Sequence, residues 1–154
     1  MLLSELIQED VIKVGLEARD KWEAIQELVD VLVAAHEIRL NDRAAVIEAV
    51  ETRERSFSTG LQYGLAVPHG AVESVKDIIA AMGTSARGIP FESVDGAPAR
   101  IIILLVIPKG SFQQNVRTLA GVSNLATRPD LRERLLAASS AADIVTAIAE
   151  LEGH

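Results

Sequence analysis

His69 is the residue of this sequence best placed to do chemistry. It sits near the end of Gly60-Leu61-Gln62-Tyr63-Gly64-Leu65-Ala66-Val67-Pro68-His69-Gly70, where a short apolar run, Leu65 to Val67, stops at a proline. Pro68 has no N–H and fixes its own φ, so it suits the exit of a strand rather than its middle. Gly70 adds no side chain beside the ring and accepts backbone angles closed to other residues. The pattern predicts His69 at the mouth of a sheet, on a stiff preceding residue, with room around it. Imidazole has an ordinary pKa of ~6.5, which leaves a neutral nitrogen nucleophile abundant at neutral pH.

A lone histidine is more often structural than reactive, so its neighbours decide. Arg53 lies sixteen positions upstream, inside Glu51-Thr52-Arg53-Glu54-Arg55. A guanidinium offers a fork of donors that matches phosphate oxygens, and it disfavours a cationic histidine. Arg53 beside His69 therefore suits a histidine that carries an anion. Ser56-Phe57-Ser58-Thr59-Gly60 connects the two. The Thr59 hydroxyl is a candidate donor to a bound phosphoryl group; the ordinary alternative is that it bonds nearby backbone.

Rival chemistries find less support. A hydrolase with His69 as general base needs a nucleophile and an orienting third group, and no such order can be read here. No His-x-His or Glu-x-x-His spacing accompanies His69, so a metal site is not expected. The absence of cysteine excludes thiol catalysis, cysteine-ligated metal and disulfides. A pure binding module, with His69 unused, is the remaining alternative. His36 falls on a helical stripe and reads as a capping or partly buried residue. His154 has no assigned role.

The elements that must position His69 come next. Leu2 to Ile7 is a short helical turn at best, and Asp10 to Leu16 has the β-branched content of a first strand. Asp20 with Glu23 forms a helix start, followed by an apolar stripe of Ile25, Leu28, Val29, Leu32 and Val33. Trp22, in the first turn, reads as core or rim. Asn41 opens a second helix that runs out at Arg53 to Arg55, aiming Arg53 at the His69 loop. Ile78 to Thr84 reads as a strand; Gly88-Ile89-Pro90-Phe91 and Asp95-Gly96-Ala97-Pro98 read as turns. Ala99 to Ile107 is apolar throughout but for Arg100 near its start, as in a central strand covered on both faces. Three helices follow: from Phe112 or Gln113 to Leu125, from Pro129 with Leu131, Leu135 and Leu136 inward, and from Ser140 with Asp143. Helices interleaved with strands argue for an α/β fold with helices on both faces of the sheet.

A chain of 154 residues is most simply one domain, residues 1–154. The net charge of −7 leaves no basic footprint for nucleic acid, and the Arg128, Arg132 and Arg134 cluster is interleaved with Asp130 and Glu133, as on a solvated helix face. The start of the chain lacks the basic and apolar regions of a signal peptide, and no apolar run reaches the ~20 residues needed to span a bilayer. A cytoplasmic protein without membrane insertion is expected.

Arg53-Glu54 through Thr59-Gly60 to Gly64-Leu65-Ala66-Val67-Pro68-His69-Gly70 resembles the active-site signature of the mannitol/fructose-type enzyme IIA domain of the bacterial phosphoenolpyruvate-dependent phosphotransferase system. The nitrogen-regulatory enzyme IIA proteins are one branch of that family. Gly88-Ile89-Pro90-Phe91, Asp95-Gly96-Ala97-Pro98 and Ile101 to Ile107 followed by Pro108-Lys109-Gly110 match as well. The resemblance covers essentially the whole chain. It implies a single domain with a mixed sheet of about five strands between helical layers. It implies that His69 accepts phosphate from the histidine phosphocarrier protein and passes it to a IIB domain or holds it as a regulatory, nitrogen-type mark. It implies no cofactor. The sequence is silent on oligomeric state, and a homodimer is compatible with it.

One departure stands out. Many members carry a second histidine at the start of the helix after the central strand. Here that place is Gln113-Gln114-Asn115-Val116-Arg117-Thr118-Leu119, with Asn115 at the histidine position. Asn115 either still holds the phosphoryl group or orients His69, or it marks a protein tuned away from fast sugar phosphorylation. A stand-alone regulator is expected, since no transporter domain is fused within this sequence; free-standing sugar-specific IIA proteins are the alternative.

Overall fold

The computed structural model describes residues 3–124 and 128–152. The expected helix end at Leu125, the opening Leu2 and the tail Gly153-His154 lie outside the described residues. Helix α1 spans Leu3–Leu6 and α2 Lys21–Ala34; α3 spans Arg43–Ser56. Strands β1 (Ile12–Lys13), β2 (Leu65–Ala66), β3 (His69–Val72), β4 (Ile79–Ile89) and β5 (Ala99–Pro108) form one mixed sheet, followed by α4 (Phe112–Ser123), α5 (Pro129–Ala137) and α6 (Ala141–Glu152). The order is β1-β4-β5-β2, with β3 also on β5; β4 runs antiparallel to β5, and β1, β2 and β3 make parallel pairs.

The predicted central strand is central. Along β5, Ile102, Leu104 and Val106 face a core built with α2 and α3, while Ile101, Ile103, Leu105 and Ile107 face a second core built with α1, α5 and α6. Strand alternation thus feeds two cores from one apolar run. Helix α2 starts as its sequence predicts: the Asp20 carboxylate accepts the Glu23 N–H at 2.9 Å. The return bond of the box comes from the Arg19 N–H to the Glu23 carboxylate, not from Asp20.

Several expectations change. The first strand pairs only over Ile12–Lys13, because Glu9–Val11 is a 3₁₀ turn and Gly15, at φ 81°, turns the chain away. The second helix begins at Arg43, after a 3₁₀ turn over Leu40–Asp42, rather than at Asn41. Strand β4 runs through the predicted turn at Gly88 to Ile89, with its register shifted between Thr84 and Ile89. His36 lies beyond the end of α2, exposed and left-handed at φ 62°, so it belongs to the cap and not to the buried stripe. Arg132 is more than a solvated side chain, for its guanidinium stacks over the Tyr63 ring at 4.6 Å. Among the described residues no helix is long and apolar enough to cross a membrane.

Candidate functional site

His69 does not end a strand; it begins one. β2 and β3 keep one register along β5, Leu65 against Ile101 and His69 against Leu105, with Pro68 between them. The Pro68 carbonyl accepts the Leu105 N–H at 3.0 Å, so its nitrogen also faces β5, where it has no proton to give. The ladder breaks there and resumes at His69. By alternation His69 shares the face of Leu65 and Val67, the face covered by α4 to α6.

Gly70 serves a purpose other than the expected one. A Cβ on it would lie 2.9 Å from the backbone of Ala49 and Val50. Helix α3 crosses β3 at that point, and only a bare backbone lets it come so close. The same helix ends by supplying Arg53. Arg53, Phe57, Ser58, Thr59, Leu61, Val67, His69 and Leu119 line a concavity of about 350 Å³. Three of the four residues singled out from sequence therefore meet there. The fourth, Asn115, comes from α4, one turn before Leu119; its amide nitrogen donates to the Ser111 carbonyl at 2.8 Å, and the side chain is half-buried.

The ring of His69 is half-buried and its Nδ1 lies 2.9 Å from the Val67 carbonyl oxygen. A carbonyl only accepts, so Nδ1 carries the proton and Nε2 carries the lone pair. Burial pushes the ring's pKa below the usual 6.5, and the Arg53 charge pushes the same way; the Val67 bond and the Glu54 carboxylate oppose them without reversing the shift. The ring is neutral at neutral pH with a defined tautomer.

Arg53 donates from Nη1 to the Phe57 carbonyl at 2.7 Å, folding the chain after α3 back on itself. Arg55 points elsewhere, to the Thr52 hydroxyl. Thr59 is buried, and both its N–H and its hydroxyl go to the Glu54 carboxylate. The hydroxyl is thus used inside the loop. Phe57, 74% exposed, forms an apolar rim beside the concavity.

Sequence reasoning gave Glu54 and Lys21 no role. Both are buried, and Lys21 Nζ lies 3.2 Å from Glu54 and 2.8 Å from Glu92. A signal was present. Val46, Ile47, Val50 and Glu54 are the buried residues of α3, spaced at three and four, so this glutamate occupies a core position of the helix.

Residues 5–151 match the family described as phosphoenolpyruvate-dependent sugar phosphotransferase system, EIIA 2. A fructose-specific EIIABC component of Bacillus subtilis is 36% identical over 148 residues, covering 96% of this chain but only 23% of that relative, so the chain spans about a quarter of its length. A nitrogen regulatory protein of Bradyrhizobium diazoefficiens is 30% identical over 149 residues, covering 97% of this chain and 95% of the relative. The crystal structure of nitrogen regulatory protein IIA-Ntr from Neisseria meningitidis superposes with a TM-score of 0.84 at 25% identity, over 95% of this chain and 98% of that one. A mixed five-stranded sheet between helical layers, a family match over residues 5–151 and relatives of both the sugar and nitrogen branches lead to one conclusion: the chain belongs to the EIIA 2 family of the phosphoenolpyruvate-dependent sugar phosphotransferase system.

Proposed function

We propose that residues 1–154 act as one phosphohistidine carrier domain in the cytoplasm. The observation that carries this reading is a neutral His69 whose Nδ1–H is committed to Val67, in a concavity shared with Arg53. The Nε2 lone pair attacks the phosphorus of a phosphorylated histidine phosphocarrier protein. The new N–P bond forms as the donor's N–P bond breaks, and the donor imidazole leaves with the electron pair. Arg53 meets the phosphoryl oxygens and offsets their charge. Thr59 supports the loop rather than the phosphate, because its donors are spent on Glu54. No metal or organic cofactor enters this step.

Onward transfer goes to a IIB domain or the phosphate stays as a regulatory mark. Asn115 on α4, where many members carry histidine, favours the regulatory use: a neutral amide holds an oxygen but cannot shuttle a proton at physiological pH. Neither nucleic acid nor a bilayer is a partner in this scheme.

The test is incubation with phosphoenolpyruvate, enzyme I and the phosphocarrier protein, followed by assay of acid-labile phosphate. The parent chain and His36→Ala are labelled; His69→Ala is not. Phosphate retained by His69→Ala moves the site elsewhere, and an unlabelled parent chain leaves the fold as a binding module.

A further inference from the structure

Behind the His69 ring runs a continuous set of contacts that begins in a buried ion pair. Lys21 Nζ lies 3.2 Å from Glu54 Oε2, with side-chain exposures of 7% and 0%. Glu54 Oε2 accepts the Thr59 N–H at 2.9 Å and Oε1 accepts the Thr59 hydroxyl. The Thr59 carbonyl accepts the Val67 N–H at 3.1 Å. The Val67 carbonyl accepts the His69 Nδ1–H at 2.9 Å. Each link fixes the next: the carboxylate sets Thr59, Thr59 sets the peptide of Val67, and Val67 sets the ring.

We propose that Glu54 is a positioning residue for His69, holding the ring's aim and tautomer through Thr59 and Val67, with Lys21 keeping the carboxylate in place.

Geometry supports this over a purely stabilising role. A buried ion pair contributes little net stability, since its desolvation offsets most of its attraction. What this pair does is direct two donors of one residue onto one carboxylate. Its neighbour Arg53 grips Phe57 in the same turn, so consecutive residues at the end of α3 hold the loop at two points. Outer partners that orient a metal-ligating histidine through its other nitrogen change affinity or activity by about 10–100-fold when lost, and the same scale is expected for a histidine aimed in that way at a phosphoryl group. Among the described residues the charges acting on the ring are Arg53 and Glu54, both from α3, and of the two Glu54 favours the protonated ring.

The inference rests on His69 being the phosphoryl acceptor, but its first readout needs no phosphate. The ring nitrogens of His69 are followed by ¹⁵N NMR in the parent chain, in Glu54→Gln, in Thr59→Val and in the neutral pair Lys21→Met with Glu54→Gln. Glutamine removes the charge and accepts through one oxygen only, so the Thr59 N–H and hydroxyl can no longer both give a proton to the same charged group. The parent shows one tautomer with Nδ1 protonated. Glu54→Gln and the double variant show a mixture of tautomers and a lower titration midpoint. Their phosphorylation at saturating donor protein slows about 10–100-fold, while the donor concentration for half-maximal rate stays put. Thr59→Val, which keeps the N–H bond, falls between. A folded Glu54→Gln with the parent tautomer and parent maximal rate overturns the proposal. If that variant does not fold, parent-like tautomer and rate in Thr59→Val overturn it instead. A parent chain that takes no phosphate fails the carrier reading alone, and the tautomer comparison still decides the role of Glu54.

Discussion

The ring of His69 gives its Nδ1–H to the carbonyl of Val67, two residues earlier in the same stretch of edge strand, at 2.9 Å. The nitrogen that keeps the lone pair is thereby chosen by backbone, with no carboxylate partner needed at Nδ1. A backbone carbonyl cannot titrate, so the choice of tautomer holds at every pH at which the ring is neutral.

That arrangement predicts an acid-tolerant nucleophile. Burial and Arg53 keep the folded pKa of His69 below about 6.5, the value expected in the unfolded chain. The rate of phosphorylation should stay level as pH falls past 6.5 and drop only at the lower, folded midpoint, read by NMR titration of the ring. The sign for stability follows by linkage. The unfolded histidine binds its proton first, so this contribution is present above about pH 6.5 and is lost as pH falls through the folded value. A ring midpoint at or above 6.5 would contradict both statements.

Arg53 should not tolerate lysine. Arg53→Lys keeps the charge but loses the planar fork and its simultaneous hold on Phe57. Phosphotransfer should fall by about 10²-fold, the scale of losing one preorganised donor, with little change in melting temperature. Arg55→Lys, whose parent side chain bonds Thr52, should transfer normally. Equal rates for both variants would remove Arg53 from the phosphoryl site.

Asn115 tests the regulatory reading. In Asn115→Ala the phosphoryl group should still arrive on His69, and its lifetime should shorten, because a neutral donor on α4 is gone. Asn115→His should add a second ionisation to the pH–rate profile and speed transfer to a IIB domain. Identical formation and decay of the phosphorylated form in Asn115→Ala would show that the side chain serves only its helix, through the bond to Ser111.

Gly70 offers a packing test. Gly70→Ala drives a methyl into the backbone of Ala49 and Val50, for a loss of about 1–3 kcal/mol, and should lower transfer because α3 carries Arg53. Gly121→Ala in α4 meets nothing within 4 Å and should instead stabilise by about 0.5–1 kcal/mol. Thermal melts of the two variants, set against the parent, decide the sign of each.

Much of this was legible in the residues. Ala99 to Ile107 had to be central because, past Arg100, no polar residue interrupts it, and Asp20 with Glu23 had to start a helix because the Asp20 carboxylate meets the Glu23 N–H of its first turn. His69 and Arg53 were legible as a pair through the chemistry of their side chains. What sequence hid was how backbone resumes after a proline. Pro68 costs one ladder bond and not the strand, so a stretch that reads as a loop is β3. Glu54 was hidden by its company: among Glu51, Arg53 and Arg55 it reads as one more surface charge, and only its place in the stripe of Val46, Ile47 and Val50 betrays it. Gly70 was read against the ring beside it, whereas the close approach comes from a helix distant in sequence.

Val67 has a further meaning for how the molecule meets others of its kind. Its N–H and carbonyl both point away from β5, along the outer border of the sheet, where unpaired groups invite another chain to add a strand. Here the N–H is taken by the Thr59 carbonyl and the oxygen by the His69 ring. A foreign strand that sought this border would have to evict the imidazole first, and the bond that fixes the His69 ring also denies that stretch of backbone to aggregation.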